Sequence, residues 1–318
     1  MAILGRPVSD LTRGPGTIDA NRALTARPTS VAIIGAGRVA TALAVLLERA
    51  GHRVVAASGR ERTRDRVTRY LTSTRFLPAE VSHQAARAGT VVILGVPDDL
   101  IAGVCAEMAG MGAFLPSHHV LHLSGSVGLE ALAPARELGA EVLSLHPLQA
   151  FPSVSDGVER LPGSAIAVTA EVESGFTLGE ALARDVGGRP FRLRDEVKPL
   201  YHAAAVFCSN YLVVVEAMAE RLFRLAGLEE PLPLFSPLAR STLEATLTRG
   251  PGEALTGPAV RGDVGTIARN LEALAVRAPS AVPPYVALAS AAAGLAFERG
   301  RLSPDDMERL DEVLKRWR

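Results

Sequence analysis

The chain is short of cysteine, aromatic residues and lysine, and each shortage narrows the reading. Two cysteines in 318 residues, Cys105 and Cys208, are too few for a disulfide framework. They stand in no close-spaced ligand motif, so no metal site is expected, and packing thiols in a reducing compartment are. Aromatics make up 4% of the chain against 48% hydrophobic residues, so any core must be built from Ala, Leu and Val. Net charge is absent as well: 34 basic residues balance 34 acidic ones, which leaves no electrostatic footprint for nucleic acid or an anionic membrane. Long apolar runs are lacking, because Ala203–Cys208 and Val286–Phe297 read as too short, or too interrupted by Ser and Asn, to span a bilayer. Residues 1–29 carry Pro7, Pro15 and Pro28 and no apolar core, as a flexible tail does and a secretory leader does not. These absences predict a cytoplasmic protein. Lysine is as scarce as cysteine, with only Lys198 and Lys315 among the 34 basic residues. A GC-rich coding background explains that average. Yet lysine can release its proton where arginine cannot, so each surviving lysine raises a chemical question.

What is present begins with Val31–Ile34, a four-residue apolar run that reads as a buried strand. The turn Gly35-Ala36-Gly37-Arg38-Val39-Ala40 follows, then a helix-period segment, Ala42–Ala50, closed by Gly51, and a second strand, Arg53–Ala57. Gly35 permits the tight strand-to-helix turn, Gly37 lets the backbone approach a pyrophosphate, and Ala40 allows close packing of helix on strand. The free N–H groups at the start of that helix favour phosphate charge. Strand, turn, helix and strand together predict dinucleotide binding. Past the second strand stands Ser58 where an acidic ribose partner would be expected, followed by Arg60, Arg62 and Arg64. That pattern suits a 2′-phosphate, so NADP(H) is the expected cofactor. Val96 and Pro97, beyond a strand over residues 90–95, complete the expected cofactor set.

Further strand ends open onto the same crevice of a doubly wound sheet. Asp98 reads as a cap for a helix over 99–109. Ser124 and Ser126 follow the strand 119–123, and His146 follows the strand 141–145. Ser124 suits a substrate carboxylate or a helix cap; His146 reads equally as an acid/base or as a satisfied buried histidine. His83, His118, His119 and His122 read as structural. Strands at 165–168 and 190–193 complete the sheet, and beyond Asp195 the period stays helical. The expected organisation is α/β: a Rossmann-like doubly wound parallel sheet over 30–193, then an all-helical domain over 194–318 for substrate and dimerisation.

The helix opening that second domain, Pro199–Ala226, is apolar on most sides and therefore expected to be buried. At 100° per residue His202, Ser209 and Glu216 share one stripe beside Ala205, which suits a polar group of a small-molecule substrate. Pro199 disfavours helical torsions at Lys198, leaving that lysine at the helix mouth. Arg261, in a glycine-flanked loop, suits a carboxylate or solvent, and Asp263 reads as the cap of the next helix.

The glycine turn, His146-Pro147-Leu148-Gln149, Tyr201-His202-Ala203-Ala204 with Ser209-Asn210, and Thr256-Gly257-Pro258 through Arg261-Gly262-Asp263 together resemble one family. It pairs a Rossmann-like NADP-binding domain with an uncharacterised helical C-terminal domain. Its architecture is similar to that of ketopantoate reductases, pyrroline-5-carboxylate reductases, β-hydroxyacid dehydrogenases and deazaflavin-dependent NADP reductases. The resemblance implies a homodimer and an NADPH-dependent reductase of a small carboxylated carbonyl compound, with 2-dehydropantoate the most specific candidate. A cyclic-imine reductase is the alternative, and a non-catalytic NADP(H) sensor the rival of another class. β-Hydroxyacid and ketopantoate enzymes carry a catalytic Lys followed four residues later by Asn. Lys198 and His202 stand at that spacing, with His replacing Asn, and either is a candidate proton donor. Asn210, Ser124, Ser209 and Arg261 are the candidates for orienting substrate.

Overall fold

The computed structural model describes residues 28–318; residues 1–27 of the expected tail lie outside the described residues. Two compact units result, one running to Ser209 and the other from Asn210 to Arg318.

The first unit is organised by an eight-stranded sheet: β1 (Ser30–Ile34), β2 (Arg53–Gly59), β3 (Arg75–Pro78), β4 (Val91–Leu94), β5 (His119–His122), β6 (Glu141–Pro147), β7 (Ala165–Ala170) and β8 (Arg189–Arg192). Their order is β3-β2-β1-β4-β5-β6-β7-β8. The helices are α1 (Arg38–Arg49), α2 (Glu61–Tyr70), α3 (Ser82–Ala88), α4 (Ile101–Gly110), α5 (Ala133–Glu137), α6 (Val154–Arg160), α7 (Glu173–Asp185) and α8 (Lys198–Val206). Val31–Ile34 and Val91–Leu94 are buried throughout, as strands covered on both faces must be. Alternation divides them between two cores: Val31 and Ile33 pack with Leu43 and Leu46 of α1, whereas Ile34, Val92 and Leu94 pack with Ile101 and Met108 of α4. The sheet is parallel from β3 through β6. It then departs from the all-parallel expectation, because β7 pairs antiparallel with β6. The connection carries α6 against α1 instead of crossing over the sheet, so the chain re-enters at the end it left.

In the second unit α9 (Leu212–Leu225), α10 (Pro231–Arg249), α11 (Pro251–Ala254), α12 (Val264–Arg277), α13 (Val282–Glu298) and α14 (Pro304–Lys315) follow one another. Ile267, Leu271, Val286, Ala293 and Leu310 form its core. Asp263 caps α12 as its sequence position predicts, accepting from Thr266 N–H at 3.0 Å.

Two expectations about the helical part need correction. The predicted helix Pro199–Ala226 is interrupted by a π-helical turn, Phe207–Tyr211. A π turn inserts a residue into the 3.6-residue ladder, so the arithmetic aligning His202 with Ser209 and Glu216 fails beyond Val206. Nor is the segment buried: Phe207 is 70% and Val213 67% exposed. The helical runs are also longer than the apolar stretches promised, because Ser and Asn do not break a helix. By length and composition alone, Asp195–Leu225 and Pro279–Glu298 are long and apolar enough to cross a membrane.

Candidate active site

Beyond the carboxyl end of β1 the chain turns sharply at Gly35, which has φ of +85°. A Cβ there would lie 2.5 Å from Val96 Cγ1, and one on Gly37 would come within 3.2 Å of the Gly95 carbonyl oxygen. The turn therefore presses against the end of β4 in a way only glycine allows. Gly37 stands at the N-cap of α1 without a capping side chain, leaving that helix end open to an anion. The turn borders a cavity of about 620 Å³. Gly35, Ala36 and Gly37 line it, as do Ser58, Arg60 and Arg62 beyond β2 and Val96 and Pro97 beyond β4. Arg38 and Val39 do not. The Arg38 guanidinium donates instead to the Phe151 and Pro152 carbonyls at 3.4 and 3.1 Å. Arg64 is taken up by Glu61 at 2.8 Å and by the Phe76 ring.

A dinucleotide fits these residues. Ser58 Oγ is buried without a hydrogen-bond partner, a costly arrangement that a ligand oxygen would relieve.

Beside this cavity the ends of β4, β5 and β6 gather a polar cluster. The Asp98 carboxylate is not a helix cap. It accepts from Ser124 Oγ at 2.6 Å and Ser126 Oγ at 2.9 Å, while Pro97 occupies the cap position. Ser124 Oγ also accepts from the N–H groups of Ser126 and Val127 at 3.1 and 3.0 Å. That hydroxyl is therefore fully engaged in holding its own loop. Asp195, just before α8, accepts from Leu129 N–H at 3.0 and 3.1 Å and sits so close that a Cβ on Gly128 would meet its Oδ2 at 2.8 Å. The loop from Ser124 to Leu129 is thus pinned from both sides by carboxylates.

Lys198 lies beneath that loop, 0% exposed. Its ammonium donates to the Ser124 carbonyl oxygen at 3.0 Å and to Ser144 Oγ at 2.7 Å. Lys198 stands at the helix mouth, as expected, and is the first residue of α8, but with helical torsions. Its side chain, whose direction the sequence left open, folds inward. This anchoring makes α8 part of the sheet unit and explains why the chain divides after Ser209, later than residue 193.

On the open side of the same loop stand His146, Tyr201 and His202. Tyr201 OH and His146 Nδ1 are 2.9 Å apart, and the two imidazoles meet edge to face with centroids 5.8 Å apart. Both press on Gly125: a Cβ there would lie 2.8 Å from His146 Nε2 and 2.8 Å from His202 Nδ1. His202 Nδ1 has no hydrogen-bond partner.

Burial sets the electrostatics. It pushes His146 down to about 4, helped by His202 and Lys198. It pushes His122 down to about 3, again helped by Lys198, and lifts Tyr201 to about 12. Lys198 is pushed down to about 8 by burial, against the pull of Asp195 and Asp98. His146 and His122 are therefore neutral near pH 7, and Lys198 is the buried positive charge of the cluster.

Of the residues singled out by sequence, His146, His202, Lys198 and Ser124 come together in the first unit. Ser209 and Asn210 lie exposed in the π-helical turn, and Arg261 is exposed in the second unit. The sequence reading missed Asp98, Ser144 and Asp195 as partners of this cluster. His122, read as structural, is buried and accepts from Ser124 N–H through Nδ1 at 3.2 Å. No local motif marks these residues; they meet because parallel strands end side by side.

Residues 16–147 match the family profile of a Rossmann-like domain. Residues 164–292 match that of a domain of unknown function, DUF2520. No curated protein matches the chain. Among solved structures, a Bacteroides fragilis protein provisionally named an NADP oxidoreductase is similar at 22% identity with a TM-score of 0.70, covering 84% of this chain and 98% of its own. A Myxococcus stipitatus imine reductase in complex with NADP+ is similar at 17% identity and TM-score 0.60, covering 91% of this chain and 99% of its own. Plasmodium falciparum pyrroline carboxylate reductase with NADP bound aligns at 12% identity and TM-score 0.52, covering 88% and 98%.

Proposed function

The chain joins a Rossmann-like domain to a DUF2520 domain in the fold of NAD(P)-dependent oxidoreductases, and from that base we propose an NADPH-dependent reductase of a small carbonyl compound. The observation that carries the reading is the buried Lys198 ammonium behind the loop against which His146 and His202 stand. A cation held in a dry site favours the negative oxygen that develops when a carbonyl accepts hydride.

When bound, the dinucleotide supplies the hydride. This chain's residues bind it, orient the carbonyl and provide the proton. Tyr201 is protonated at neutral pH, and in this reading its hydroxyl donates to His146 Nδ1, with the His146 proton on Nε2 beside Gly125. His146 then serves as a neutral hydrogen-bond donor that orients the carbonyl oxygen. In this reading the transferable proton belongs to His202, whose Nδ1 stands against Gly125 without a hydrogen-bond partner. Lys198 has no exposed surface, so its part is to position the Ser124–Gly125 peptide and to supply field.

Reduction of a cyclic imine is the second reading, favoured by the names of two structural neighbours, an imine reductase and a pyrroline carboxylate reductase. A cationic iminium is the poorer match to a site backed by Lys198. NADPH consumption measured against a panel of 2-oxo acids, 2-dehydropantoate among them, and cyclic imines separates the two. Turnover of imines alone rejects the carbonyl reading.

Arg60 and Arg62 support NADPH over NADH, since neither is tied up by a carboxylate among the described residues and both line the cavity. Arg60→Glu is expected to weaken NADPH about tenfold or more while sparing NADH, the scale of one charge-assisted hydrogen bond. Fluorescence titration with each cofactor checks this; equal affinities of the unaltered protein for both would reject it.

The exposed Val213, Val214, Leu234 and Leu238 of α9 and α10 support a homodimer. Glu216, Glu220, Arg221 and Arg224 interleave on α9, a charge density costly in hydrocarbon but ordinary at a protein interface. Sedimentation equilibrium is expected to give twice the 33.4 kDa chain mass; a monomer contradicts it.

A further inference from the structure

Five arginines lie between residues 60 and 69, and four have a plain account. Arg60 and Arg62 are exposed at the cavity wall, Arg64 pairs with Glu61, and Arg69 lies over the Tyr70 ring at 5.8 Å. Arg66 differs from all of them. It is half-buried, it lines the dinucleotide cavity, and its one recorded bond runs from NH1 to the Ala36 carbonyl at 2.7 Å. Glu80 and Glu107 line the same cavity, yet among the described residues no carboxylate pairs with Arg66. A partly desolvated guanidinium bonded only to a peptide oxygen is undercompensated, and its remaining donors suit an anion.

Local packing explains why this arginine is placed there. At Gly59 a Cβ would collide with Thr63 Oγ1, so the first turn of α2 lies tight against the end of β2. Arg66 stands three residues after Thr63, on the same helix face. That face meets the glycine turn through the Arg66–Ala36 bond, and Ser58, whose Oγ is buried and unpartnered, lines the same cavity. A cation short of an anion and a hydroxyl short of a partner therefore border one space.

We propose that Arg66 is a further residue that sets cofactor choice beside Arg60 and Arg62, one edge of its guanidinium holding the glycine turn through Ala36 and the other binding the 2′-phosphate together with Ser58. This rests on the NADP reading and deepens it. The fork of arginine matters, because lysine cannot serve a carbonyl and a phosphate from two fixed edges. A purely structural Arg66 would loosen the glycine turn and weaken both cofactors alike. A 2′-phosphate ligand would weaken NADPH alone.

The test is binding of NADPH and NADH by nicotinamide fluorescence to the unaltered protein, Arg66→Gln and Arg66→Lys, with thermal melts confirming that each is folded. Arg66→Gln is expected to weaken NADPH by roughly 10- to 100-fold and to leave NADH nearly unchanged, and Arg66→Lys to recover part of the loss. If the unaltered protein shows no NADPH preference, the NADP reading itself fails. A ratio of NADPH to NADH affinity left unchanged by Arg66→Gln, whether neither falls or both fall in step, overturns the assignment to Arg66.

Discussion

Lys198→Met is expected to lower kcat by roughly 10²–10³-fold, the scale on which preorganised charge acts on a developing oxyanion, while the protein stays folded. Methionine has nearly the length of lysine and fits the same channel. What it removes is the ammonium that donates to the Ser124 carbonyl and Ser144 hydroxyl. The pH dependence gives the sharper signature. Lys198 is charged below about 8 and neutral above it, so activity should fall as pH rises through 8, and that limb should vanish in the variant. Stability should move the other way. The folded-state pKa lies below the ordinary 10.5, so between about 8 and 10.5 the unfolded chain binds the extra proton and this group's contribution to stability rises with pH. Opposite slopes of activity and melting temperature over one window are hard to obtain from general alkaline unfolding. A variant with full kcat reduces Lys198 to a structural tie.

His202→Ala is expected to cost roughly 10²–10⁴-fold in kcat, the range for loss of a positioned proton donor. NADPH affinity should survive, because His202 is absent from the cavity wall that carries the glycine turn. Combining it with Lys198→Met should be little worse than the more damaging single change, as for groups acting as a unit. Steady-state kinetics with cofactor titrations check all three. Multiplicative losses would mean that the two residues act independently.

The cofactor half of this site was legible from the chain alone because its determinants are local. Val31–Ile34, Gly35, Gly37 and Ser58 lie within 28 residues, and each states a backbone requirement that sequence spacing expresses directly. The chemical half was legible only in part. His146 and His202 could be named from strand-end position and family resemblance, but their apposition on Gly125 depends on β5, β6 and α8 meeting in space. Lys198 was noticed for its rarity and placed at the helix mouth, where it stands. The proline argument against helical torsions there does not hold, and the inward direction, which the sequence left open, is set by pairing with Ser124 and Ser144, more than fifty residues away. Asp98 fits a cap pattern well, and only the neighbouring strand end shows that its carboxylate is spent on two serines. The π-helical turn had no sequence signature in Phe207–Tyr211, and it undid the one stripe drawn through α8 and α9.

The most direct test uses NADPH deuterated at its transferable nicotinamide position, incubated with the carbonyl or imine substrate that the panel yields. Mass spectrometry and NMR of the product then locate the label. One deuterium on the former carbonyl or imine carbon, at a rate reduced by His202→Ala, is the expected result. NADPH that binds tightly but passes no deuterium to any member of the panel would contradict the account and leave a nucleotide-sensing module in its place.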